Sequence, residues 1–122
     1  MSKILITGTS KGIGYDAALC LARNGHEVVA TMRNPNNSDL SEVASKESLN
    51  IDIQALDVDD IDSVKEVFDK VGAIDVLINN AGVFPPKQRT TVDGFEMQMG
   101  VNHLSHFLLT NLLLDCLKAS SP

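Results

Sequence analysis

A glycine-rich turn between an apolar strand and a helix start constrains this chain more than any other feature. Lys3-Ile4-Leu5-Ile6 is an apolar run of strand length, and Thr7-Gly8-Thr9-Ser10-Lys11-Gly12-Ile13-Gly14 follows it directly. Residues 12–24 then read as a helix, with Ile13, Ala17, Cys20 and Leu21 on one face and Gly25 as its terminal glycine. At such a junction free backbone N–H groups and the positive end of the helix dipole converge, and glycine lets a ligand approach the backbone closely. The turn therefore points to an α/β chain that holds a phosphate group.

The remaining sequence continues the alternation. Residues 26–32 predict a second strand, 34–38 a polar loop, 39–46 a short helix and 51–56 a third strand. Ile61, Val64, Phe68 and Val71 keep helical spacing behind Asp59 or Asp60 as N-cap, and residues 75–79 form a fourth strand, apolar enough for burial on both faces. A loop over 83–92 leads to a long helix from about 95 to 118. With right-handed crossovers, this pattern predicts a Rossmann-like open parallel sheet, strand order 3-2-1-4, with helices on both faces.

At 122 residues the chain is one domain, and 43% hydrophobic with 21% charged residues is the composition of a folded one. A net charge of −6 with no basic cluster excludes a nucleic-acid surface. The first strand begins too early for a secretory leader, so a cytoplasmic location is expected. The most apolar segment, residues 107–114, lies between His106 and Asp115 and is far shorter than the ~20 residues of a membrane span. Cys20 and Cys116 are expected to be reduced thiols on apolar helical faces.

The glycine spacing here is G-x-x-x-G-x-G, not the common G-x-G-x-x-G. Thr7-Gly8 with Gly12-Ile13-Gly14 resembles the cofactor loop of the short-chain dehydrogenase/reductase family. Asp57-Val58 after the third strand, Asn79-Asn80-Ala81-Gly82 after the fourth, and Asn102 in the long helix are similar to three further elements of that family, in its order. The resemblance implies an NAD(P)-binding Rossmann domain over 1–122, in which Gly8, Ser10, Lys11, Gly12, Ile13, Gly14, Asp57, Val58, Asn80, Ala81 and Gly82 contact the cofactor. Up to about Val83 the chain resembles general members of the family. From Thr91 on, Asp93-Gly94-Phe95-Glu96-Met97 and residues 101–110 resemble its retinol dehydrogenase-like branch.

The choice of cofactor has a physical argument of its own. A site for NAD places an acid near the end of the second strand, on the ribose 2′-hydroxyl. Met32 and Arg33 stand there, and no acid occurs between Val28 and Ser38. Arg33 and Lys11 offer two cations to a 2′-phosphate, so NADP(H) is expected in preference to NAD(H). The competing reading is that Arg33 is a solvated loop charge.

Other candidates have plainer readings. Asp57, Asp59, Asp60 and Asp62 suggest a calcium loop, but Ile61 and Asp62 occupy its fifth-ligand and glycine positions and Phe68 stands where a glutamate belongs. His103 and His106 lack a third ligand in sequence, so a structural or interface role is expected and no metal site. Asn36-Asn37-Ser38 matches a glycosylation sequon, which counts only in a secreted protein.

Reduction of a carbonyl needs a general acid at the oxygen. The resemblance implies a serine and a Tyr-x-x-x-Lys pair for that work, on elements that follow the long helix. The one tyrosine here, Tyr15, has Leu19 four residues on and belongs to the first helix. Of the family's catalytic set only Asn102 is present, in a supporting role that the resemblance gives as holding a water near the lysine. The chain thus reads as truncated at its C-terminal end. The parent is expected to be an oxidoreductase acting on a small-molecule carbonyl or alcohol, and the chain alone to be inactive. Alternatives are a non-catalytic nucleotide-binding or interaction module and a gene-model fragment. The fourth strand is expected to form an exposed edge, and the leucine-rich helix to seek a partner, giving an aggregation-prone chain or a homodimer.

Overall fold

A computed structural model of the chain describes residues 1–120. Four parallel strands, β1 (Lys3–Thr7), β2 (Glu27–Met32), β3 (Ile51–Ala55) and β4 (Val76–Ile78), form one sheet in the order β3-β2-β1-β4. Leu5 pairs with Val29 on one side and Leu77 on the other, and Ala30 pairs with Ile53. The crossovers are α1 (Gly12–Arg23), α2 (Leu40–Lys46) and α3 (Ile61–Val71). After β4 come a loop, the single turn α4 (Met97–Met99), a π-turn at Gly100–Leu104 and α5 (Ser105–Ala119).

Because side chains alternate along a strand, β1 and β2 feed two separate cores. Ile4, Ile6, Val28, Ala30 and Met32 meet Ala18, Ala22 and Leu40 on the face covered by α1 and α2. Leu5 and Val29 meet Val64, Val67 and Val71 of α3 and Leu109 and Leu113 of α5 on the other. Each valine, leucine, isoleucine or methionine among them contributes about 1.5–3 kcal/mol on full burial, so both covered faces fasten the sheet to its helices.

Several expectations shift in detail. On α1 the packed side is Gly14, Ala18, Leu19 and Ala22, while Ile13 is 82% exposed and Cys20 faces solvent. Close approach of the helix to the sheet selects small residues at Gly14, Ala18 and Ala22, and Leu19 fills the space beside them. On α3, Val67 is buried where Phe68 was expected, and Ile61 also lies at the surface. The cap of that helix is Asp60, whose carboxylate accepts from the N–H groups of Asp62 at 3.0 Å and Ser63 at 3.4 Å. The polar loop contains one 3₁₀ turn, Pro35–Asn37.

The long helix is not continuous. At Gly100–Leu104 it widens into the π-turn, where the Ser105 hydroxyl donates to the Gly100 carbonyl at 2.7 Å. β4 is not buried on both faces: Val76 is exposed, Leu77 and Ile78 are partly covered, and the strand forms an edge of the described sheet. Phe107, Leu108, Leu112 and Leu114 on α5 are exposed as well.

Candidate functional site

The chain winds from β1 to β3 on one side of the sheet, then crosses to β4 on the other. In open parallel sheets the crevice at that reversal, beyond the carboxyl ends of the strands, is where ligands lodge. A cleft of about 500 Å³ lies there. Its wall combines the turn after β1 (Gly8, Ser10, Lys11), the start of α1 (Ile13, Gly14), and Arg33 after β2. Asp57 and Val58 beyond β3 and Asn80, Ala81 and Gly82 beyond β4 line it as well.

The glycine turn is pinned from below by buried threonines. Thr9 donates to the Thr31 carbonyl through its N–H and its hydroxyl, each at 3.0 Å, and the Thr31 hydroxyl donates to Ile6 at 2.8 Å. Gly8 has φ +72°, and a Cβ there would lie 2.7 Å from Ala81 Cα, so this turn and the turn after β4 are in backbone contact. Asn80 reinforces the junction, its Nδ2 donating to the carbonyls of Thr7 at 3.1 Å and Gly8 at 3.0 Å.

The N-terminus of α1 differs from that of α3. Lys11 occupies the cap position with no side-chain cap hydrogen bond, and the first turn contains no acid. The amides of that turn thus have no acceptor from a side chain, and the dipole adds a positive field. An anion bound in the cleft would supply what the sequence leaves out. Lys11 and Arg33 are exposed, and among the described residues neither forms an ion pair. Arg33 also borders an adjoining recess of about 320 Å³ with Ser10, Asn34 and Asn37. The residues present therefore fit a phosphorylated nucleotide cofactor: amides and cations at one end, apolar side chains at strand ends for a ring.

The acidic side is arranged locally. The Asp57 carboxylate accepts from the Asp59 N–H at 3.0 Å, and its own N–H donates to the Ser63 hydroxyl at 2.9 Å. Partial burial pushes the Asp59 carboxyl above the usual range, and the negative charges of Asp57, Asp93 and Asp60 add to the effect.

Two expected residues lie off the wall. Gly12, outside the lining, has φ +67° and open space where a Cβ would stand, and it shapes the turn. Asn102 stands behind the wall. Its side-chain amide pairs with the backbone of Val83, accepting at 2.7 Å and donating at 2.9 Å, and so fixes a residue that does line the cleft. Leu56, Asp59, Val83, Met97 and Val101 also line it, as does Met32. Met97 and Val101 share a helical spacing of four, but only tertiary placement turns that face to the cleft.

The Tyr15 hydroxyl donates to Asp39 at 2.8 Å, and that bond holds its pKa above the ordinary phenol value. His103 is exposed and His106 buried, so the two do not converge, and among the described residues no three His, Cys, Asp or Glu side chains gather as metal ligands. No helix of the described residues is long and apolar enough to cross a membrane.

Comparison with known proteins agrees with this geometry. The family model described as short chain dehydrogenase matches residues 2–122. Human retinol dehydrogenase 13 is 46% identical, across 98% of this chain and 38% of its own length. That likeness runs through the whole chain and is not confined to the part after Thr91. A crystal structure of an uncharacterized protein from Mycobacterium Paratuberculosis superposes with a TM-score of 0.81 at 42% identity, over 93% of this chain and 42% of that one. Gluconate 5-dehydrogenase from Burkholderia cenocepacia J2315, in complex with NADP and tartrate, gives 0.72 at 31% identity, over 93% and 48%. The chain spans about two fifths of the length of the curated relatives it matches, 37% to 41% in representative cases.

Proposed function

Since the chain belongs to the short-chain dehydrogenase family, a family of oxidoreductases, we propose that residues 1–122 form the NADP(H)-binding part of an enzyme interconverting a small-molecule carbonyl and alcohol. The observation that carries the cofactor choice is at the end of β2. Arg33 and Lys11 border the cleft without ion-pair partners among the described residues, and no carboxylate stands where a ribose 2′-hydroxyl would need one. A guanidinium suits a phosphate monoester because its planar fork can donate two parallel hydrogen bonds.

Within this reading the uncapped amides of α1 and the Gly8–Gly14 turn hold the pyrophosphate. Met32, Leu56 and Val58 bracket the adenine, with Asp57 at its edge. Asn80, Ala81, Gly82 and Val83 form the wall toward the reacting end, kept in place by Asn102. The bound nicotinamide would supply or accept the hydride. The Tyr15 hydroxyl, committed to Asp39, takes no part in proton transfer. Turnover on this reading requires residues that 1–122 do not contain, and the chain alone binds nucleotide without catalysis. The exposed Phe107, Leu108, Leu112 and Leu114 favour self-association through α5.

The experiment is a fluorescence titration with NADPH and NADH of the wild type and of Arg33→Asp. The variant is expected to lose its preference for NADPH and to gain affinity for NADH. An unchanged ratio would remove Arg33 from the cofactor assignment.

A further inference from the structure

We infer that His106 is a positioning residue for the cleft: its imidazole orients the Thr7 hydroxyl so that this hydroxyl can accept both backbone amides of the turn beyond β4. The inference rests on the cofactor reading only for its consequence in binding; the hydrogen-bond network stands on the geometry.

Thr7 ends β1 and is fully buried. Its Oγ1 accepts from the N–H of Asn80 and from the N–H of Ala81, both at 2.9 Å, and lies 3.0 Å from Nε2 of His106. A hydroxyl has two lone pairs and one proton. The amides take both lone pairs and cannot accept, so the proton is donated to Nε2. Nε2 as acceptor leaves the other ring nitrogen protonated, and that Nδ1 lies 3.4 Å from the Asn102 carbonyl. Every donor in the relay then has one direction, from the Asn80 and Ala81 amides through Thr7 and His106 to Asn102.

The ring is 6% exposed, and burial holds its pKa below the ordinary imidazole value, which keeps the neutral form the relay requires. Its partners are the Thr7 hydroxyl and the Asn102 carbonyl. Both ends of the relay act on the same stretch of wall. Thr7 holds Asn80 and Ala81, which contact Gly8, while the Asn102 side chain holds Val83. A ring that can neither accept nor donate leaves the buried hydroxyl proton without its acceptor. Any rotation of the hydroxyl that seeks another acceptor then turns a lone pair away from one of the two amides.

The test uses the full chain. Long-range ¹H–¹⁵N NMR of the wild type at neutral pH is expected to show His106 as the neutral Nδ1–H tautomer; an Nε2–H tautomer or an imidazolium overturns the assignment. In His106→Phe, hydrogen exchange of the Asn80 and Ala81 amides is expected to accelerate about tenfold relative to Val29 and Ala30 in β2, the loss of one net hydrogen bond. Unchanged exchange at those amides, or an equal acceleration throughout the sheet, overturns the positioning role. The NADPH dissociation constant of the variant should rise about tenfold. A wild type that binds neither nucleotide defeats the cofactor reading, whereas equal binding by wild type and variant defeats this one. If the variant does not fold, the tautomer of the wild type still decides.

Discussion

Replacing Gly14 by alanine tests whether fold and cleft share one packing contact. Gly14 is helical, so propensity alone favours alanine by about 1 kcal/mol. The packing opposes it more strongly. A Cβ at this position would sit 2.5 Å from Nδ2 of Asn80 and well inside contact with the Gly8 carbonyl oxygen. Relieving that overlap costs about 1–3 kcal/mol, as overpacking generally does. Asn80 Nδ2 also loses its place between the Thr7 and Gly8 carbonyls, two hydrogen bonds worth about 1 kcal/mol each. The net is a destabilisation of about 2–4 kcal/mol, or a melting temperature lower by about 10–20 °C. Urea unfolding followed by circular dichroism should show a lower midpoint at unchanged slope. Gly12→Ala serves as the internal comparison. Its φ is +67° but no atom lies within 4 Å of the added carbon, so only the left-handed backbone penalty of about 1 kcal/mol applies. A Gly14→Ala chain as stable as the wild type, or less affected than Gly12→Ala, would refute the packing argument.

Other consequences are simpler. Asp60→Ala removes the cap of α3 and should cost about 1 kcal/mol, read as a melting temperature lower by about 5 °C. Burial holds the His106 imidazole below its ordinary pKa, so the unfolded chain binds a proton there more readily and its contribution favours unfolding as pH falls below about 6.5. Thermal stability should therefore decline between pH 7 and 5, with a shallower decline in His106→Phe; identical slopes would contradict the buried neutral ring. Leu108→Lys with Leu112→Lys on α5 should shift sedimentation toward monomer without lowering NADPH affinity, while a wild type that is monomeric at all concentrations would dismiss self-association through that face.

Strand order and cleft position were legible because the signals are local. A glycine turn after Ile4-Leu5-Ile6, apolar runs of strand length, and cap residues such as Asp60 depend on neighbours in sequence. What escaped was set by distant partners. The packed side of α1 is chosen by how closely Gly14 approaches Gly8, a contact that outranks the bulk of Ile13. The widening at Gly100–Leu104 follows no apolar period, and its tie is the Ser105 hydroxyl on the Gly100 carbonyl. Asn102 was legible as a site residue by resemblance, yet its partner Val83 lies nineteen positions away. His106 was legible as a structural histidine, while its link to Thr7 across 99 positions needed the fold. Met97 and Val101 reach the cleft only because the segment after β4 folds back over it.

On the proposed reading, this cleft holds a phosphorylated nicotinamide nucleotide and distinguishes it by its 2′-phosphate. Isothermal titration of the wild-type chain with NADPH and with NADH at fixed ionic strength measures that directly. The expected result is saturable binding of NADPH about tenfold or more tighter than NADH, the worth of one charge-assisted hydrogen bond or more. Equal affinities, tighter binding of NADH, or no binding of either would contradict it.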